Sequence, residues 1–194
     1  HLVITIGCEY GAKGNAIGKK IAQDLGIKFY DRDLVDEIIK EVGIPTDIMD
    51  RVEEGGTIAG KGAQGDVRGS FSKYADLTDR AIHVQKQIIR KLAQKEACVI
   101  IGRSADYILK DRDDVLNVFI HGDMPEKTKR IMGLYNVEEK EAVKMMADTD
   151  KRRMTNYNFY TDQKWGKTSN YTLCLNSSQL GYDRCEAIIM ECVK

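Results

Sequence analysis

The chain has 194 residues, with 30 Lys and Arg against 30 Asp and Glu. That length holds one medium domain with a substantial core. The balanced charge excludes a global field that would draw the chain to nucleic acid or to a membrane surface. The five cysteines, Cys8, Cys98, Cys174, Cys185 and Cys192, form no C-x-x-C pair and no cysteine–histidine metal spacing. They read as small buried apolar residues of a reducing compartment. Nothing reads as a signal peptide or a membrane span, so the expectation is a cytoplasmic protein without membrane or nucleic-acid partners.

Leu2 to Ile6 is a short β-branched run, followed at once by Gly7-Cys8-Glu9-Tyr10-Gly11-Ala12-Lys13-Gly14. Ile17, Ile21 and Leu25 then recur at helical spacing, and Gly26 suits a C-cap. The stretch predicts a buried strand, a glycine-containing turn and an amphipathic helix. Such a turn aims backbone N–H groups and a helix N-terminus at one point, which suits a phosphate. Against the full phosphate-loop pattern G-x-x-x-x-G-K-[ST], Gly7 and Lys13 hold their places. Ala12 replaces the second glycine, and Gly14 replaces the hydroxyl residue that usually contacts magnesium. The bland alternative is an ordinary turn whose glycines let the chain reverse.

Ile27 to Tyr30 predicts a second strand, and Asp31 the N-cap of a helix with Leu34, Val35, Ile38, Ile39 and Val42 on its apolar side. Asp31 is either that cap alone or, with Arg32, a group on the ligand side of an α/β sheet. Gly43 and Pro45 end the helix, and a short helical piece is expected over Thr46 to Glu53. Residues 55 to 69 carry six glycines and read as a substrate-covering flap or a floppy connection. A mobile segment is expected over about residues 54–75. A long helix is predicted from Asp76 to Lys95, with Leu77, Ala81, Val84, Ile88 and Leu92 inward.

Ala97 to Ile101 is continuously apolar, as a strand buried on both faces is. Arg103 stands just past its carboxyl end. It is placed either for a phosphate, by bidentate hydrogen bonding, or for an internal ion pair with Asp106. Val115 to His121 predicts another strand, with His121 structural, and Asp123 caps a helix with Pro125 and Glu126 in its first turn. Arg130 is explained about equally by a solvated face and by function. In the helix predicted from Glu138 to Tyr157, Lys151, Arg152 and Arg153 follow one another, and aromatic residues follow them. This is a solvated face or a closing segment over about residues 148–170. Tyr171 to Leu175 predicts a last strand, and the terminal helix carries Cys185, Ile188, Ile189 and Cys192 on its buried side. Alternating strands and helices predict a single three-layer α/β domain over residues 1–194 with a mainly parallel sheet.

These segments together resemble the P-loop nucleoside monophosphate kinases, most closely the cytidylate kinase-like family. "LGIKFYDRDLV" resembles the acceptor-binding segment, "CVIIGRSADYIL" the strand with Gly-Arg, "TDKRRMTNYNFYTDQKWG" the arginine-bearing lid and "YTLCLNSSQLG" the final strand. The resemblance implies ATP as phosphoryl donor with magnesium. ATP is held along Gly11, Ala12, Lys13, Gly14, Asn15 and Ala16. It implies an acceptor monophosphate, with cytidine monophosphate leading, near Asp31, Arg32, Arg103 and Asp106. Lys13, Arg152 and Arg153 would be catalytic. The chain departs from the family's D-G-R-D pattern, since Ile101 and Ser104 stand where aspartates are expected, and Asn15 replaces a threonine. The metal ligands are therefore unassigned. Two other readings stay open: a nucleotide sensor without turnover, and a kinase of a non-nucleotide small molecule.

Overall fold

A computed structural model describes residues 1–44, 48 and 68–193, with side chains from Leu77 onward in the helix that begins at Arg68. The chain runs β1 Val3–Cys8, α1 Gly14–Leu25, β2 Lys28–Tyr30, α2 Arg32–Glu41, α3 Arg68–Lys95, β3 Cys98–Ile101, α4 Ala105–Ile108 and β4 Val115–His121. It continues through α5 Met124–Tyr135, α6 Glu139–Tyr160, a 3-10 turn Thr168–Asn170, β5 Leu173–Asn176, α7 Ser177–Leu180 and α8 Tyr182–Glu191. The strand order is β2-β3-β1-β4-β5, and each described pairing is parallel.

Alternation along the strands separates two cores. Val3, Cys98 and Ile100 face a layer that includes Val35 and Ile39 of α2 and Ala81 and Ile89 of α3. Ile4, Ile6, Val99, Ile101, Val118 and Ile120 face Ile17 and Ile21 of α1 and Cys185 and Ile189 of α8. Both faces of the central strands are thus apolar, which is why those segments read as continuous runs. Each fully buried isoleucine contributes roughly 1.5–3 kcal/mol. A third cluster, Ile131, Ala142 and Met146, joins α5 to α6. Because the strands are parallel, Cys8, Tyr30, Ile101, His121 and Asn176 end along one edge, where an α/β sheet binds its ligand.

Several local expectations change. The long helix begins at Arg68, eight residues before Asp76, since a cooperative helix of this length tolerates Gly69 at a cost of about 1 kcal/mol. Its buried face is Ala81, Ile82, Ile88, Ile89 and Ala93, with Leu77, Val84 and Leu92 at its margin. Leu34, Val42 and Cys192 are exposed, because α2 and α8 each bury only a narrow stripe. Asp123 makes no side-chain cap; its carboxylate accepts from Asn176 Nδ2 at 2.9 Å and from Gln179 instead. The helical piece expected over Thr46 to Glu53 and nearly all of the glycine-rich stretch lie outside the described residues. Burial pushes the Cys98 thiol up to about 11 and raises those of Cys8, Cys174 and Cys185, as expected of inert thiols. Among the described residues no helix is long and apolar enough to cross a membrane.

Candidate functional site

The loop between β1 and α1 is built by two left-handed residues. Gly11 has φ 88° and Lys13, the N-cap residue of α1, has φ 66°. The Ala12 amide donates to the Glu9 carbonyl at 3.1 Å, closing a turn, and Ala12 itself is buried. The amides that open α1 have no intrahelical acceptor and carry the positive end of the helix dipole. The glycine at position 14 has a local cause. A Cβ there would lie 2.6 Å from both Cβ and Sγ of Cys8. The cysteine fills the space that a serine or threonine would need. The loop therefore offers Gly11 to Ala16 as a backbone cradle without a hydroxyl.

Side chains distant in sequence fasten this loop. Lys127, buried at the start of α5, is ion-paired with Glu9. Asp150 of α6 accepts from the Tyr10 amide at 2.8 Å. Burial raises the Asp150 carboxyl above its ordinary value, opposed by the Tyr10 amide, Arg153 and Lys127. Three residues on, Arg153 donates from Nη1 to the Cys8 carbonyl at 2.8 Å and lies 5.7 Å from the Tyr10 ring centre. Of the three consecutive cations, Arg153 is the one turned to the loop; Lys151 and Arg152 are exposed, and Arg152 reaches Thr149 Oγ1 at 3.4 Å. Lys13 extends its ammonium over the Tyr182 ring, 3.7 Å from the centre, with the Arg130 guanidinium 5.9 Å from the same ring. A cation on an aromatic face is held by about 0.5–1 kcal/mol at an exposed site, weakly enough to leave for a phosphate.

The ends of β2 and β3 bring two more arginines. Asp31 caps α2, accepting from the Leu34 amide at 2.9 Å, and Arg32 opens that helix two residues past the end of β2 at Tyr30, so the cap and the place beyond the strand end hold together. Gly102, Arg103 and Ser104 have φ of 63°, 57° and 53°. Consecutive left-handed residues, two of them not glycine, store strain of order 1–3 kcal/mol each. The turn directs the Arg103 side chain, 6% exposed, onto Asp36 of α2. Burial and, after it, the charges of Arg103 and Arg153 pull the Arg32 guanidinium below its ordinary range. Arg103 and Arg153, from two other segments, thus both act on Arg32, and Arg153 also reaches the end of β1 at Cys8.

Asp106 does not join that group. It accepts from Tyr157 Oη at 2.6 Å, and the same hydroxyl lies 2.8 Å from Gln163 Oε1. Burial raises the Asp106 carboxyl. The internal partner of Arg103 is Asp36 rather than Asp106. Asp106 ties the turn that carries Arg103 to the end of α6. Sequence reasoning missed Glu9, Asp36, Lys127, Asp150 and Tyr182. Asp36 had a signal, since it stands four residues after Arg32 on one helix. The other four are fixed by contacts across 52 to 169 residues of chain and had none.

The chain is similar to an uncharacterized protein from Eubacterium ventriosum ATCC 27560, with 31% identity over 99% of this chain and 97% of that one and a TM-score of 0.78. It shares its fold with a shikimate kinase from Bacteroides thetaiotaomicron (15% identity, 99% and 98% covered, TM-score 0.55). A gluconokinase from Sinorhizobium meliloti 1021 has the same fold (16% identity, 99% and 95% covered, TM-score 0.52). No curated protein matches the chain. A family model described as the cytidylate kinase-like family matches residues 3–179, which contain the loop, the three arginines and all five strands, and the chain belongs to that family.

Proposed function

We propose that the protein transfers a phosphoryl group from ATP to a small anionic acceptor, with a nucleoside monophosphate of the cytidine type as the leading acceptor. The observation that carries this reading is the placement of Lys13, Arg32 and Arg103 just past the ends of β1, β2 and β3, with Arg153 of α6 brought to the end of β1 by its bond to the Cys8 carbonyl. Like charges are brought together where an anion is to bind. Phosphoryl transfer asks the protein for alignment and charge neutralisation rather than covalent chemistry.

In this reading the amides of Gly11, Ala12, Lys13, Gly14, Asn15 and Ala16 cradle the donor phosphates. Lys13 leaves the Tyr182 ring for the outer phosphates. Arg32 and Arg103 orient the acceptor, with Asp31 holding the start of α2 in place. Arg153 releases the Cys8 carbonyl and follows the transferring group, and the exposed Arg152 joins it as α6 closes and water is excluded. Asp106 acts on the acceptor only through the turn that holds Arg103. For magnesium the fit is narrow. Gly14 has no hydroxyl, Glu9 is committed to Lys127, and the described residues contain no cluster of three or more metal-binding side chains. Magnesium fits as an ion carried in by the triphosphate, which needs few protein ligands.

The test is ADP release with magnesium and ATP against cytidine, uridine, adenosine and guanosine monophosphates. Lys13→Ala serves as the control and is expected to lower the rate about 100-fold or more with the fold intact. Acceptor-dependent release that needs Lys13 supports the kinase. An unchanged rate in Lys13→Ala at saturating ATP removes that residue from the mechanism. Tight ATP binding with no release on any acceptor favours a nucleotide sensor. A hydroxyl-bearing, non-nucleotide acceptor is the second reading, supported by a fold shared with proteins named shikimate kinase and gluconokinase. Adding shikimate and gluconate to the panel separates it.

A further inference from the structure

Beside the turn that carries Arg103 lies a narrow cleft between α3, α4 and the end of α6, whose walls include Gln85, Lys86, Ser104, Asn156 and Thr161. Gln85 is 8% exposed. Its Nε2 donates to the Arg103 carbonyl at 3.3 Å. That bond fixes the carboxamide, because the flipped group would set two oxygens against each other. Oε1 is then buried, and among the described residues it has no hydrogen-bond partner. A buried acceptor without a donor is costly, and a ligand that brings a donor removes the cost.

We propose that Gln85 reads the acceptor substrate by accepting a hydrogen bond from an exocyclic amino group. This rests on the kinase reading for the identity of the ligand as an acceptor, and it adds the residue that selects among acceptors. The cleft shares its backbone with Arg103, so a molecule whose anionic group meets Arg32 and Arg103 has the rest of its body beside this opening. As it stands the cleft has room for about one water molecule. It therefore admits a substituent rather than a ring. An amino group supplies two N–H donors, one for Gln85 Oε1 and one for a hydroxyl on the same wall, Ser104 or Thr161. A carbonyl oxygen at the same ring position offers only lone pairs to Oε1 and is rejected. A hydroxyl has a single hydrogen and satisfies Oε1 alone.

The experiment is equilibrium binding of two matched pairs, cytidine against uridine monophosphate and adenosine against inosine monophosphate. Each pair exchanges an amino group for a carbonyl at one ring position. The wild type is expected to prefer the amino member of at least one pair by about tenfold or more. Gln85→Leu is expected to bring that ratio to within about threefold. The ratio is taken within each variant, so a change in folded fraction cancels. Equal affinities in both pairs, a preference that survives Gln85→Leu, or no binding of any of the four overturns the proposal and leaves the cleft as the seat of a water. Amino preference that depends on Gln85 without ADP release sinks the kinase reading and keeps this one. ADP release with no such dependence does the reverse.

Discussion

Asp36→Ala separates the structural from the functional part of the arginine group. The Arg103 side chain is 6% exposed and that of Asp36 is 27% exposed. Burial raises the Asp36 carboxyl despite the attraction of Arg103 and Arg32, so desolvation outweighs the pairing and the ion pair as a whole stabilises the fold little. Breaking one side is different. Removing a partner from a buried pair costs about 3–5 kcal/mol, and the partial exposure of Asp36 reduces this to about 2–3 kcal/mol. For a chain of this size each kcal/mol lowers the melting midpoint by about 2–4 °C, which predicts a fall of about 4–12 °C. The double variant Asp36→Ala/Arg103→Met recovers most of that fall, because the buried Arg103 charge leaves together with the carboxylate that it pairs with. Inorganic phosphate stabilises Asp36→Ala more than the wild type, since an anion replaces the missing carboxylate. Thermal melts with and without phosphate read all three. A single variant that melts with the wild type, or a double variant that melts well below the single one, refutes the reasoning.

Two further expectations concern the loop and the internal carboxyl. Gly14→Ala places a methyl 2.6 Å from Cβ and Sγ of Cys8 and is expected to destabilise by about 1–3 kcal/mol in denaturant melts; full stability would mean that the loop and α1 shift freely apart. Burial holds the Asp106 carboxyl above its ordinary value of 3.8, against the opposing bond from Tyr157. Its neutral form thus favours the fold below the unfolded pKa, and that contribution is lost as pH rises through the folded one. Asp106→Asn should therefore gain on the wild type in melting midpoint between about pH 4 and about pH 7; a gap that narrows or stays constant counts against it.

The periodicities that made the sheet legible are local. Cys98 to Ile101 and Val115 to His121 carry their burial in composition, and Gly26 and Asp31 mark their helix boundaries by their own backbone and cap. What was not legible depends on packing between elements. The stripe of α3 turned because Ile82 and Ile89 reach the sheet as well as Ala81 and Ile88, and a helix hydrophobic on more than one side gives no unique phase. The candidate site divides the same way. Arg32, Arg103 and Lys13 were found from their places at strand ends and in the loop. Their internal partners Asp36 and Tyr182 were not: the spacing that marks Asp36 points to Arg32, whereas Arg103 lies 67 residues away from it, and Tyr182 meets Lys13 only through the fold. Among Lys151, Arg152 and Arg153 only the register of α6 against β1 selects Arg153.

That register also tells which arginine moves. Arg103 is held by a carboxylate, by a backbone turn of three left-handed residues and by Gln85 on its carbonyl. A phosphate arriving there meets a cation already paired and fixed, and it gains from geometry more than from fresh neutralisation. Arg153 is held by the Cys8 carbonyl and sulfur, by the Tyr10 ring that it lies over and by the nearby charge of Asp150, with no carboxylate in direct contact among the bonds described. A hydrogen bond between a cation and a neutral acceptor is worth roughly 1.5–3 kcal/mol, and a phosphate adds to it an opposite charge and a bidentate geometry that a single carbonyl lacks. Exchange of the Cys8 carbonyl for a phosphate oxygen is therefore favourable, and it breaks one of the two hydrogen bonds by which α6 side chains hold the backbone of Cys8 and Tyr10. The other, from the Tyr10 amide to Asp150, sets an anion of the chain itself against the anion that the loop would bind. The two bonds respond to a triphosphate in the same direction. In the proposed kinase reading, Arg153 would be drawn off the carbonyl toward the ligand while Asp150 was repelled from the amide, so that the fixed arginine would orient and the mobile one follow the charge.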